Sequence, residues 1–488
     1  MEYLDPKKQR RYQISLWVGY ALLAIGIAMG SIILLWQAYG YSVKNGVVIQ
    51  NGMVFISSQP NPASIYINGK LNANTTNTRI TIPSGAYTLE LKAPGYRPWI
   101  HVLSVLGGQV IHYDYPILYP VHLISKNITT FSAAPSFASQ SPSRQYLVVA
   151  DPANFTSFYL YDLTNPTSPP VTLNLPANLL TTAQGPQSWK VVGWANDNRY
   201  LLLEHLFNNT EEFIELDTLH PSQSINLNKT FNINPTSVTL NNLNYNQYYF
   251  YDAQTQLLSS ATLGNPTITT VEPNVLAYKS YLTNIVIYAT ATGAPSGQVA
   301  VYMNYNNKDY FIRYVPQSTT YLLNMANYSG NNYMVVGGSS SRFVYIYQSP
   351  LTQANASTNP KILPFRVLEI NNPNYESFAP TAQFIMVESG TDFAVYDIQN
   401  DSIYHYTSPM PLESPQTHAV WMDGDRLIYV SGGKLNVADF DNTNRNILTS
   451  ALPSYQPFFT PDYHDYFTLS PSSKANSVEL KETSLLVG

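Results

Sequence analysis

Hydrophobic and polar positions along the chain fall into three regimes. Residues 16–36 (LWVGYALLAIGIAMGSIILLW) are almost unbroken in apolar character, and no residue between Arg11 and Lys44 is charged. As a helix, about 21 residues at ~1.5 Å each span ~31 Å, the thickness of a bilayer's hydrocarbon core. From Gly52 the pattern changes to short segments in which apolar and polar residues alternate: VFISS, ASIYING, RITIPSG, AYTLELKAPGY and WIHVLSVLGG, each broken by Gly, Pro or Asn. A period of two belongs to strands with one buried face, and Asn68-Gly69 between two of them is a hairpin-turn dipeptide. These segments predict a small β-sandwich.

After Pro120 the alternation continues inside a coarser unit that recurs roughly every 40–55 residues. Residues 141–163, 194–217, 378–400 and 421–441 each run polar turn, strand, turn, strand, and end near Asp162, Asp217, Asp397 and Asp441. A unit of four short strands is a propeller blade, which buries its faces only by stacking on neighbours in a ring. Trp194, Phe378 and Trp421, just before the turns, are expected to pack between blades. Blade starts near Pro135, Ser188, Pro235, Asn274, Thr320, Tyr375, Thr417 and Tyr455 predict about eight blades. Residues 232–316 are poorly delimited, which leaves seven as the alternative. The last unit is one strand short, and residues 121–129 are expected to close the ring by supplying it. The fold class is therefore mainly β, with segments 1–11 (basic tail), 12–41 (membrane helix), 42–120 (sandwich) and 121–488 (propeller).

The flanks of the apolar run orient it. Lys7, Lys8, Arg10 and Arg11 precede it, Lys44 alone follows closely, and Trp17, Trp36, Tyr39 and Tyr41 stand where aromatic rings seat at the headgroups. This predicts a single-pass anchor through residues 16–36, with the N-terminus cytoplasmic and the later domains extracytoplasmic. A cleaved signal peptide is the alternative, with Ala28-Met29-Gly30 as the cleavage site. The apolar run continues past that site, which favours the anchor.

Composition narrows the function classes. Only 11% of residues are charged and the net charge is −5, so the clustered cations of a nucleic-acid binder are missing. With no cysteine there is no disulfide, thiolate metal site or thiol nucleophile. Thirty-nine tyrosines favour pleated, half-buried surfaces.

Gly52-Met53-Val54, Ala63 through Gly69, Pro83-Ser84-Gly85-Ala86-Tyr87 and Ala93-Pro94-Gly95-Tyr96 follow one another in an order that resembles the PEGA domain, a small β-sandwich of bacterial and archaeal envelope proteins. The motif residues are Pro83, Gly85, Ala86, Gly95 and Tyr96. Ser84 stands where the name has Glu. The resemblance implies an extracytoplasmic stalk or adhesion module and carries no catalytic residues. The blade turns are similar to TolB-like and WD40-like propeller repeats, and the whole arrangement resembles a bacterial, membrane-anchored envelope protein.

No G-x-S-x-G, H-E-x-x-H, G-x-x-x-x-G-K or G-x-G-x-x-G motif occurs, and the eight histidines are scattered. No catalytic residue, metal site or cofactor is therefore assigned. Glu204, Glu211, Glu212 and Glu215 contain a glycosidase pair only if two of them meet in space. Tyrosine combines contact area with a polar tip, so residues 245–253 and 301–314 supply the binding candidates Tyr248, Tyr249, Tyr251, Tyr302 and Tyr305. The competing reading is that these tyrosines fill the blades. The expectation is a non-enzymatic surface protein that binds or scaffolds through its propeller, with a cell-wall glycan, peptide or surface protein as partner. The alternative is an envelope enzyme, a glycan hydrolase or lyase with a carboxylate in the propeller funnel.

Overall fold

Residues Pro6–Ala38 form one α-helix whose described apolar side chains lie almost entirely exposed, and its segment Lys7–Trp36 is long and apolar enough to cross a membrane. The computed structural model describes residues 6–38, 40–44, 47–356, 360–409, 412, 418–474 and 476–486. Tyr39 and the blade start at Thr417 lie outside the described residues. The chain divides into two compact units, Met1–His122 and Leu123–Leu486.

In the first unit, two four-stranded sheets follow the helix. One contains Tyr41–Lys44, Val47–Ile56 and Thr78–Pro83, with Val110–Tyr113 pairing parallel to Val47–Ile56. The other has the order Lys70–Thr75, Ser64–Ile67, Gly85–Lys92, Trp99–Val105. The alternation of the sequence is realised directly: Val54, Ile56, Ile65, Ile80, Leu89, Leu91, Trp99 and Leu103 form the buried layer. Asn68 and Gly69 both take positive φ, 50° and 75°, as a two-residue primed turn requires. Gly52 is required by contact, because a Cβ there would lie 2.3 Å from Val105 Cγ1. The motif around Pro83 is closed by the Tyr87 hydroxyl, which donates to the Pro83 carbonyl at 2.9 Å.

The second unit is a propeller of eight four-stranded antiparallel sheets, spanning 138–174, 187–226, 237–272, 277–316, 321–369, 375–407, 420–450 and 458–484. Eight blades, not seven, are present, and residues 232–316 hold the third and fourth. The fourth strand of the eighth sheet is Ser125–Phe131, paired antiparallel to Val478–Ser484 from the other end of the domain.

Packing between neighbouring blades runs around the whole ring. Phe137 and Phe158 meet Trp189 and Trp194 between the first and second blades. Phe213 meets Tyr248 and Phe250 between the second and third, and Tyr249 meets Tyr288 between the third and fourth. Met303 meets Met334 between the fourth and fifth, and Val335 meets Ile385 between the fifth and sixth, with Phe378 packed alongside. Phe384 stacks on Phe440 and Trp421 between the sixth and seventh. Thr449 Oγ1 and Tyr466 Oη lie 2.9 Å apart between the seventh and eighth. Phe467 and Leu480 meet Leu147 and Tyr161, returning to the first.

The recurring aspartates have one local role. Asp162 accepts from the Thr164 amide, Asp217 from the Leu219 amide, Asp397 from the Gln399 amide and Asp441 from the Thr443 amide, at 2.9–3.0 Å. Each is the Asx turn by which a short side chain replaces a backbone hydrogen bond where a strand ends.

Candidate functional site in the propeller centre

The first strand of each blade lies innermost, and those of the fourth, fifth and sixth blades (Ala277–Tyr281, Tyr321–Tyr328, Tyr375–Phe378) pack side by side around the ring's centre. An innermost strand has one unpaired edge, so the inner strands together border a space that no other strand fills. Here that space is a pocket of about 400 Å³ between the second and fifth blades. Its walls are mostly apolar, from Val192, Leu240, Leu243, Leu282 and Met325, with Thr239, Tyr278, Tyr281 and Lys279 supplying polar groups.

Two features mark the pocket as more than a packing gap. The first is charge. Lys279 interrupts the aromatic strand AYKSY and lines the pocket while remaining exposed; Glu376, which interrupts YESF on the sixth blade, is not part of the lining but feels the Lys279 charge. Asn324 Nδ2 donates to Glu376 Oε2 at 3.3 Å. The Glu376 side chain keeps some solvent contact but is ringed by protein, and this burial pushes its pKa up to about 7. Asn324 and Lys279 pull the other way and offset the burial only in part. A carboxyl poised in this way both donates and accepts at neutral pH. The second feature is backbone strain. Leu243 and Leu282, 48% and 46% exposed at the rim, hold φ of 55° and 50°, a left-handed conformation that costs a leucine on the order of 1 kcal/mol or more.

Within the pocket, Tyr278 Oη lies 3.0 Å from Thr239 Oγ1, and burial pushes the phenol up to about 12. The Tyr281 hydroxyl donates to Asn332 Oδ1 at 3.1 Å. Beside Glu376, the Tyr375 ring stacks on His418 at 4.1 Å, and His418 Nδ1 lies 2.9 Å from Glu388 Oε1, which fastens the sixth blade to the seventh. The arrangement fits a ligand with an apolar body and a polar or anionic head.

The tyrosines singled out in the sequence lie elsewhere. Tyr248 is fully buried, with its hydroxyl 2.8 Å from Glu215 Oε2, and Tyr249 is buried between the third and fourth blades. Neither has surface to offer a ligand, which corrects their candidacy. Tyr251 donates to the Val275 carbonyl at 2.8 Å, Tyr302 stacks on Tyr288 and Tyr305 packs on the fourth-blade core. These three are half-buried, and none lines the central pocket.

Three of the four glutamates are committed to partners of their own, and Glu211 lies close enough to Glu204 to feel its charge. Glu204 pairs with Lys190 at 3.0 Å. Buried Glu212 accepts from Thr181 and Asn226 and lies 2.8 Å from His205 Nδ1; these hydrogen bonds outweigh its burial and hold it down to about 2. Burial pushes Glu215 up to about 8. Glu211 is raised by its own burial and by the charge of Glu204. Lys279, Glu376 and Asn324 escaped the sequence reading because only the ring brings them together. The available signal was a single charge in the middle of an aromatic inner strand.

Residues 51–117 match the PEGA domain family. No curated protein matches the chain in sequence. Among solved structures, the chain is similar to the propeller of Dos1 (11% identity, covering 74% of this chain and 94% of that one, TM-score 0.44). It is also similar to the β-propeller domain of Cps50 (Swd1) from Myceliophteria thermophila (11%, 67% and 100%, TM-score 0.40). A third is an oligogalacturonate lyase in complex with manganese (10%, 74% and 99%, TM-score 0.38). At this distance such likenesses carry no functional argument.

Proposed function

We propose that the protein is a membrane-anchored, extracytoplasmic binding protein whose propeller takes its ligand in the central pocket. The observation that carries this reading is the pocket itself, with apolar walls, the strained leucine rim and the exposed cation of Lys279. The helix Pro6–Ala38 serves as the anchor, and the excess of basic residues before it keeps the N-terminus in the cytoplasm. The PEGA module at 51–117 supports a surface or scaffold role, with a cell-wall glycan, peptide or surface protein as partner. Two measurements test the reading. Protease added to intact cells should digest the propeller, and protection until lysis would overturn the topology. Capture of surface-labelled material by the full chain should be lost in Lys279→Met and in Leu282→Asp; capture that survives both would overturn the pocket.

A second reading is favoured by one observation, the raised pKa of Glu376. A carboxyl that still holds its proton near neutral pH has the property required of a general acid in glycan cleavage. Its described partners are Asn324 and Lys279 and include no second carboxylate, so binding is preferred. If Glu376→Gln abolishes turnover of cell-wall fragments while retaining their binding, the enzymatic reading replaces the first.

A further inference from the structure

A second concavity, of about 670 Å³, lies on the outer side of the ring between the fourth and fifth blades. One wall is the outermost strand of the fourth blade, Lys308–Pro316, which contributes Phe311, Arg313 and Tyr314. The other is built from Tyr345 and Tyr347 on Phe343–Gln348 and from residues 360–364, Lys361 among them. Residues 360–364 belong to an unusual connection. In the fourth blade the third and fourth strands are joined by two residues, Asn306 and Asn307, whereas in the fifth the link runs from 349 to 365 and includes the helix Pro350–Asn355.

The groove's charge is one-sided. Arg199, Arg342, Arg366 and Arg426 each hold a carboxylate, from Asp217, Glu369, Asp401 and Asp423. Arg313 holds none. Its guanidinium stacks on the Tyr345 ring, Nη1 donates to Tyr347 Oη at 3.2 Å, and Nε, itself buried, finds no acceptor among the described residues, which leaves Nη2 to face a ligand. Lys361 also has no described ion pair, and no acidic residue is among the described residues that line the groove. In a chain of net charge −5 this is a local reversal of sign. Beside the cations, Phe311 and Tyr314 are each 41% exposed, with ring centroids 4.8 Å apart. An aromatic face is electron-rich and attracts polarised C–H groups, and a guanidinium held on a ring presents its free edge to a carboxylate.

We propose that this groove binds an acidic saccharide, with a carboxylate-bearing sugar ring seated on Phe311 and Tyr314 and its carboxylate on Arg313 and Lys361. A sugar ring offers a flat C–H face and a hydroxyl edge, which match the two exposed rings and the hydroxyl that Tyr314 carries. A peptide anchor residue would instead want a deep socket, and Pro360 and Pro364 in the far wall have no amide hydrogens to offer its backbone. The site is independent of the central pocket.

The test titrates the full chain in detergent with three probes: a hexuronic acid oligosaccharide, the same oligosaccharide with its carboxyls methyl-esterified, and a polyglutamate peptide. The acidic oligosaccharide should bind, more weakly as salt is raised, and esterification should weaken it about tenfold or more. Arg313→Met should cost a similar factor. Because Arg313 also packs on Tyr345, the exposed changes Lys361→Met and Phe311→Ser provide a second route, and each should weaken binding several-fold with the melting temperature unchanged. Equal binding of the esterified probe, preference for polyglutamate, or indifference to all three changes overturns the proposal. Loss of oligosaccharide binding in Lys279→Met, with Lys361→Met unaffected, also overturns it, by placing the sugar in the central pocket.

Discussion

Arg144, Asn198, Ala382 and Tyr463 all hold φ between 58° and 64°, and each is the fourth residue of the turn joining the first two strands of its blade. In each turn that residue's amide donates to the carbonyl three positions back, as from Ala382 to Ala379 at 2.7 Å. The turn sets the backbone, so residues as different as Arg, Asn, Ala and Tyr are driven into the left-handed region, and no common residue type marks the position. The aspartates that cap the later turns were legible because their side chains do the bonding. The seventh blade's turn carries a glycine for another reason: a Cβ on Gly424 would lie 2.7 Å from Thr381 Cγ2 in the sixth blade's turn. Gly424→Ala should therefore destabilise the propeller by about 1–2 kcal/mol in denaturant unfolding. Thr381→Ala should recover most of that loss in the double variant, and simple additivity of the two changes would show that the contact is not the cause.

Strands explain what the alternation rule misses. A middle strand of a blade is covered on both sides, so in residues 247–252 Tyr248 and Phe250 face the second blade while Tyr249 and Tyr251 face the fourth. Both parities are apolar, the period of two disappears, and the segment resembles an exposed aromatic cluster. The same double burial blurs the limits of the third and fourth blades. The small sandwich has one solvated face per sheet and was legible strand by strand. Ring closure depends on one pairing, Val478–Ser484 with Ser125–Phe131, and its inner anchor is Leu480, fully buried against the first blade. Leu480→Ala should cost about 2–5 kcal/mol. Hydrogen exchange should show protection falling together in the first and eighth blades, because the closing pair is shared; loss confined to the eighth would mean that its neighbour does not depend on the closure.

At the scale of the molecule, the raised carboxyls govern how stability changes above pH 4.5, because carboxyls held low, such as Asp162, Asp217 and Asp401, are ionised there both in the fold and in the unfolded chain. Burial pushes Glu215 up to about 8 and Glu376 to about 7, and it also raises Glu211, Glu272 and Glu482. Hydrogen bonds hold Glu212 down to about 2. Geometry supports the assignment at Glu215. The single hydrogen of the Tyr248 hydroxyl faces two acceptors, Glu215 Oε2 and the Tyr245 carbonyl, and a protonated Glu215 supplies the second hydrogen. The neighbouring charges of Asp197 and Asp217 favour the same neutral form. A raised carboxyl keeps in the fold a proton that the unfolded chain gives up above its ordinary pKa of 4.5, so this contribution to stability falls as pH rises from 4.5 to about 8. Glu212 acts in the opposite sense: its stabilisation is present above 4.5 and is lost as pH falls towards 2. The propeller should thus be most stable in mildly acidic solution and weaken by a few kcal/mol, order of magnitude, towards pH 8. Glu215→Gln keeps the shape and the acceptor oxygen but cannot ionise, so it should make the decline between pH 5 and 8 shallower, with the remainder due to Glu376 and the other raised carboxyls, while leaving the acid limb unchanged. Urea midpoints across that range decide the matter, and a variant that declines as steeply as the wild type would show that Glu215 is already ionised in the fold.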